Sequence, residues 1–108
     1  MISSTAKIDC KQIGEEKLTE LMHRASESQR RRANLNLHLH PGDPIQRFLN
    51  AVEPDSYICP HCHQEPPKWE LLLLVRGRGR VLIFDESGEV LEVLELQAGG
   101  RNLLVEVP

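Results

Sequence analysis

Four of the five histidines fall into two His-x-His pairs, His38/His40 and His61/His63. On an extended strand, residues i and i+2 face the same side. Each pair can therefore present two imidazoles to one point. Imidazole nitrogen is a common protein ligand for zinc, iron, nickel and copper. The second pair is followed by a loop and then a carboxylate, Glu70. Two histidines and one carboxylate form the ligand set of several catalytic zinc sites and of non-haem iron centres. Such sets leave coordination positions open for water or substrate. The residues thus point to a divalent transition metal (Zn, Fe, Ni or Mn) held by His61, His63 and Glu70. A lone His-x-His also arises by chance, so histidines that only meet solvent on an edge strand remain the competing reading.

Cys59-Pro60-His61-Cys62-His63 also resembles half of a zinc knuckle, with two thiolates in Cys-x-x-Cys spacing. A structural zinc needs a second ligand pair at a distance. Only Cys10 and His38/His40 are available for that. On a strand Cys62 faces away from its neighbouring histidines, so it cannot share a metal with them. Outside that reading, Cys59 and Cys62 are small apolar fillers or oxidisable thiols. His38 and His40 are either additional ligands or part of a pocket wall, and His23 reads as a surface residue. Tyr57 and Trp69 flank the proposed ligands, either lining a pocket or packing over its mouth. Arg76, Arg78 and Arg80 alternate around Gly77 and Gly79, giving either an anion-binding face or a solvated edge. No glycine-rich phosphate loop and no nucleophile motif is present.

The elements that must position these groups follow from periodicity. Leu18, Leu21, Met22 and Ala25 recur at helical spacing from Glu15 onward, predicting an amphipathic helix of about four turns. It runs into Arg30-Arg31-Arg32, read as a solvated helix end in preference to a polyanion site. Asn34 to His40 alternates strictly, as a half-buried strand does. Pro41-Gly42-Asp43 turns the chain. Asp43 then caps a second short helix carrying Ile45, Phe48, Leu49 and Val52. Everything after Asp55 reads as β structure. Strands are expected at 56–59, 70–76, 81–84, 90–96 and from 103, with turns at 85–88 and 98–100. Several short strands at this spacing mean a sandwich or barrel.

Length and composition bound the function classes. A chain of 108 residues with 40% apolar and 27% charged residues reads as one ordinary globular domain. Aromatics are only 4%, so Leu, Ile and Val must build the core. A formal net charge of −3 provides no global attraction to nucleic acid or to an anionic membrane. No apolar run approaches a membrane span, and no secretory signal pattern opens the chain. Three cysteines argue against a disulfide framework and for a reducing, cytoplasmic setting.

The segment Tyr57-Ile58-Cys59-Pro60-His61-Cys62-His63-x6-Glu70-x6-Gly77 resembles the first conserved motif of cupins. More narrowly, the chain resembles the WbuC-type cupin-fold metalloproteins of the RmlC-like superfamily, associated with bacterial surface-polysaccharide gene clusters. Arg31-Arg32-Ala33-Asn34-Leu35-Asn36-Leu37-His38 fits that subfamily's lead-in, as do Gln46-Arg47-Phe48-Leu49-Asn50-Ala51, Pro66-Pro67-Lys68-Trp69-Glu70 and Phe84-Asp85 with Gly88. The resemblance spans roughly residues 20 to 108. It implies a mainly β, cupin-type jelly-roll barrel preceded by two short helices, with a metal held inside by His61, His63 and Glu70.

On that basis residues 1–14 are expected to be a mobile arm, 15–54 a helical lead-in with one strand, and 55–108 the barrel portion. The gap between His63 and Glu70 is longer than is common in cupins, which leaves Glu65 as a fallback ligand. Cupins carry a second motif, Pro-x-Gly-x-x-His, that adds a fourth ligand. This sequence reaches Pro108 where that motif would begin, so the barrel is expected to lack its last strands. Open sheet edges of that kind favour a homodimer. The resemblance further implies a small-molecule ligand, a sugar or nucleotide-sugar intermediate of polysaccharide synthesis. A catalytic metal would polarise a substrate oxygen or activate water. A non-catalytic ligand-binding or sensor cupin is the alternative, with the structural zinc through Cys59/Cys62 beside it. A metal-free, epimerase-like cupin using His61 as base is a further one.

Overall fold

The computed structural model describes residues 10–59 and 68–108. It is mainly β, with one helix and three two-stranded antiparallel sheets. The chain divides into two units, Met1–Ile58 and Cys59–Pro108.

In the first unit α1 (Glu15–Glu27) follows the predicted helical period. Leu21 and Ala25 are 4% and 1% exposed, whereas Met22 lies at the edge of the apolar stripe and is largely exposed. Glu15 and Glu16 occupy the first turn, where carboxylates favour the positive end of the helix dipole. The Leu18 N–H bonds to the Gly14 carbonyl at 3.1 Å and closes that turn.

The arginine run does not extend this helix. Ser28 is already extended, Arg31 sits in the left-handed region at φ 59°, and Arg32 opens β1 (Arg32–Asn36). Arg31 is held there by its surroundings. Its N–H donates to the Ser28 carbonyl (3.0 Å), and its own carbonyl accepts from Glu53 N–H (2.9 Å). Its guanidinium bonds to Asp55 Oδ1 (3.1 Å), approaches Glu53 Oε2 (3.9 Å) and donates to the Ser26 carbonyl. The Arg32 guanidinium donates to the Tyr57 carbonyl at 2.8 Å. Two of the three cations are thus spent inside the unit, which is why the run is neither a helix end nor a free anion platform.

The second predicted helix is absent, because its residues pair with β1. β2 (Phe48–Val52) runs antiparallel to β1 in the register Ala33↔Ala51 and Leu35↔Leu49. Antiparallel partners share a face, and these four small and apolar residues form the more covered one. α1 packs against this β1–β2 ladder. Phe48 and Val52, the i and i+4 positions that suggest a helix, lie on the outer face at 51% and 49% exposure. Asp43 turns backward instead of capping forward: its Oδ2 accepts from the N–H groups of Leu39 (3.1 Å) and His40 (3.4 Å). The alternation through His40 also outruns the ladder, which ends at Asn36. Ser56 to Cys59, expected as a strand, has no ladder partner among the described residues.

In the second unit β3 (Glu70–Leu73) pairs with β6 (Leu104–Val107), and β4 (Arg78–Phe84) pairs with β5 (Val90–Gln97). Each ladder is extended by one further backbone bond, Leu74 N–H to Leu103 O (2.8 Å) beyond β3–β6 and Ala98 N–H to Gly77 O (2.9 Å) beyond β4–β5. No closed barrel forms among the described residues. The β4–β5 turn is organised by Asp85. Its Oδ1 accepts from the Ser87 hydroxyl (2.6 Å), the Ser87 N–H (2.8 Å) and the Glu89 N–H (2.9 Å). Gly88 supplies φ 89°, which a side chain would strain. A register shift between Ile83 and Phe84 absorbs the extra residue beside the turn.

Two predictions follow from these turns. Left-handed backbone costs a non-glycine residue about 1 kcal/mol. Arg31→Ala keeps that cost and loses the ion pairs, whereas Arg31→Gly loses only the pairs. Urea denaturation should therefore find the glycine variant more stable than the alanine variant by about 1 kcal/mol, the reverse of their usual order. Asp85 has its pKa lowered from 3.8, first by the Ser87 hydroxyl and then by the Glu89 N–H. A depressed carboxylate stabilises the fold above its ordinary value, and that contribution disappears as pH falls through the lower folded value. The Ser87 and Glu89 amide resonances should titrate together with a midpoint below 3.8, and Asp85→Ala should abolish that titration.

Candidate functional site

Glu70 heads β3 directly opposite Val107 and is half-buried. Period two places it on one face with Leu72, and the register adds Val105 and Val107 to that face. Leu71 and Leu73 on the other face are 54% and 53% exposed, against 39% for Leu72. The carboxylate therefore lies on the more covered side of its ladder. A carboxylate there is a chemically competent metal ligand. His61 and His63, the other proposed ligands, lie outside the described residues, as do Cys62 and Glu65. Among the described residues no three His, Cys, Asp or Glu side chains gather so as to hold a metal ion.

The other histidines have local roles. His38 follows the end of β1 and is half-buried. Its Nδ1 lies 3.0 Å from the Arg47 N–H nitrogen and 2.9 Å from the Arg47 carbonyl oxygen. With Nδ1 bare, the ring accepts from the N–H. With Nδ1 protonated, it donates to the carbonyl and leaves Nε2 as a free lone pair. The ring meets Phe48 edge-on, with centroids 6.3 Å apart and planes at 76°. His40 is exposed in the following turn, where its carbonyl accepts from Asp43 N–H at 3.0 Å. Because the ladder stops at Asn36, the period-two argument that aimed both imidazoles the same way does not apply to this pair. His23 is a surface residue, as expected, with Nε2 3.4 Å from Glu27 Oε1.

Tyr57 and Trp69 are both strongly exposed, in the first and second unit respectively. Arg76 is exposed just after β3. Beyond it, Arg78 and Arg80 border a cleft that also takes in Glu95, Gln97, Arg101 and Asn102. Sequence reasoning found the first two and missed Arg101. It stands alone after Gly99-Gly100, and only the turn that carries the Gln97 N–H to the Asn102 carbonyl (2.8 Å) brings it beside β4. No helix among the described residues is long and apolar enough to cross a membrane.

The family pattern for a domain of unknown function (DUF6016) matches residues 13–96, from just before α1 to the penultimate residue of β5. No curated protein and no solved structure matches the chain. With most of its length covered by that pattern, the chain belongs to the DUF6016 family.

Proposed function

We propose that this chain is a cupin-type metal-binding protein in which His61, His63 and Glu70 hold a divalent transition metal. The observation that carries the reading is the placement of Glu70. Its carboxylate heads a strand and is half-buried on the face it shares with Leu72, Val105 and Val107, as a strand-borne carboxylate ligand would be. The His-x-His pair precedes it by six intervening residues in sequence, and a jelly roll is a mainly β fold, as this one is.

When bound, the metal would polarise a substrate oxygen or lower the pKa of a coordinated water. Glu70, as a ligand, is not the general base. The ligand proposed for the site is a small sugar or nucleotide-sugar, with exposed Trp69 supplying a face on which a sugar ring can stack. The protein is further proposed to be cytoplasmic and homodimeric. In support of a dimer, every described strand belongs to a two-stranded sheet and so keeps one unpaired edge.

Elemental analysis of untagged protein, beside Glu70→Ala, His61→Ala and Cys62→Ser, tests the reading. A stoichiometric metal in the wild type, lost in the first two variants and retained in Cys62→Ser, is the expected result. Loss in Cys62→Ser as well would transfer the metal to a zinc knuckle. No metal in the wild type would overturn metal binding outright. With metal established, turnover of sugar substrates that stops on chelation separates an enzyme from a binding module, in which chelation abolishes ligand binding alone.

A further inference from the structure

The end of the β4–β5 ladder away from its turn gathers three arginines, Arg78, Arg80 and Arg101, around one carboxylate. Arg78 stands opposite Gln97 and Arg80 opposite Glu95, so all four side chains share one face of the ladder. Arg101 and Asn102 reach the same place from the turn after β5, completing an open cleft of about 770 Å³. Glu95 is the single carboxylate in the lining, and it is engaged: its Oε1 lies 3.1 Å from Arg80 Nε. Arg78 and Arg101 have no carboxylate partner among the described residues. Like charges therefore converge in a chain whose formal net charge is −3. Asp85, Glu86 and Glu89 sit at the opposite end of the hairpin.

We propose that Arg78 and Arg101, with Gln97 and Asn102 beside them, bind the phosphoryl group of a small molecule. A guanidinium presents a planar fork that matches a phosphate bidentately. Two uncompensated forks suit a group carrying nearly two negative charges better than a carboxylate, which one fork already satisfies. The cleft has room for a small phosphorylated ligand. A nucleic acid is a poorer match, because its phosphates would continue past the cleft toward the acidic turn. Arg80 and Glu95 neutralise each other and form one wall, so removing Glu95 would release a third cation. This site is independent of the metal reading.

The test is an NMR titration of the full chain with inorganic phosphate and then with a nucleoside diphosphate, both in excess chelator. Saturable shifts at the Arg78 and Arg101 Nε–H groups are expected. Arg78→Gln and Arg101→Gln should each weaken binding by about three- to tenfold, as for a charge-assisted bond at an exposed site. Arg78→Lys should fall between Arg78→Gln and wild type, and the ligand-free spectra check that each variant is folded. Glu95→Gln should tighten binding, which no purely structural role of these residues would do. Tighter binding of the diphosphate identifies a phosphorylated metabolite as the ligand, and equal binding identifies free phosphate. Absence of saturable shifts overturns the site. So does an equal loss in Arg24→Gln on α1, or a Glu95→Gln variant that does not bind more tightly.

Discussion

A two-stranded sheet cannot cover its own faces, and this constraint governs both units. A lone antiparallel pair is marginal in water until something packs against it. In the first unit that cover is α1, whose Leu21 and Ala25 are buried as it packs on the β1–β2 ladder. The helix needs the ladder in return. A helix of this length is itself marginal in isolation. The covered residues of β1 and β2, among them Ala33 and Ala51, are small enough to let it approach closely.

The second unit has no helix among its described residues, and its order comes from backbone pairing and turn chemistry. Leu96 is its one buried apolar residue among those described. The β4–β5 ladder carries apolar residues on both faces: Val81 and Leu94 half-buried on one, Leu82 and Val93 exposed on the other. An antiparallel sheet tolerates one face open to solvent in this way. The Asp85 turn secures one end of this ladder, and the links through Gly77 and Asn102 secure the other. The candidate functional groups follow the same logic: Glu70 heads a strand, and the arginines collect where two strands and a turn end together.

What was legible in the sequence were features whose cause is local. The helix at Glu15 was readable because one 3.6-residue period runs through Leu18, Leu21 and Ala25 with no competing pattern. The β4–β5 hairpin was readable because Asp85-Glu86-Ser87-Gly88 carries its own hydrogen-bond acceptor and its own glycine. Glu70 was placed correctly at the start of a strand, since the leucines that follow it are bounded by glycine. The His61/His63 half of the candidate site was visible only as spacing, and those residues lie outside the described ones.

Only tertiary structure could settle the rest, because the deciding partner was distant in sequence. Phe48 to Val52 satisfies helical spacing at its ends and carries no polar–apolar alternation that marks a strand, although its burial alternates once it is paired. The pairing of Leu49 with Leu35 and Ala51 with Ala33 selects the strand, since it covers both sets at once. Arg31 looked like the end of a helix, but Glu53 and Asp55 draw it into a left-handed corner. Arg101 became a neighbour of Arg78 only through the β4–β5 register and the turn that follows. The sequence by itself determined which segments could bury a face and which residues could do chemistry. Tertiary structure decided which faces met, because pairing across a chain is chosen by total burial and hydrogen bonding that no local window contains.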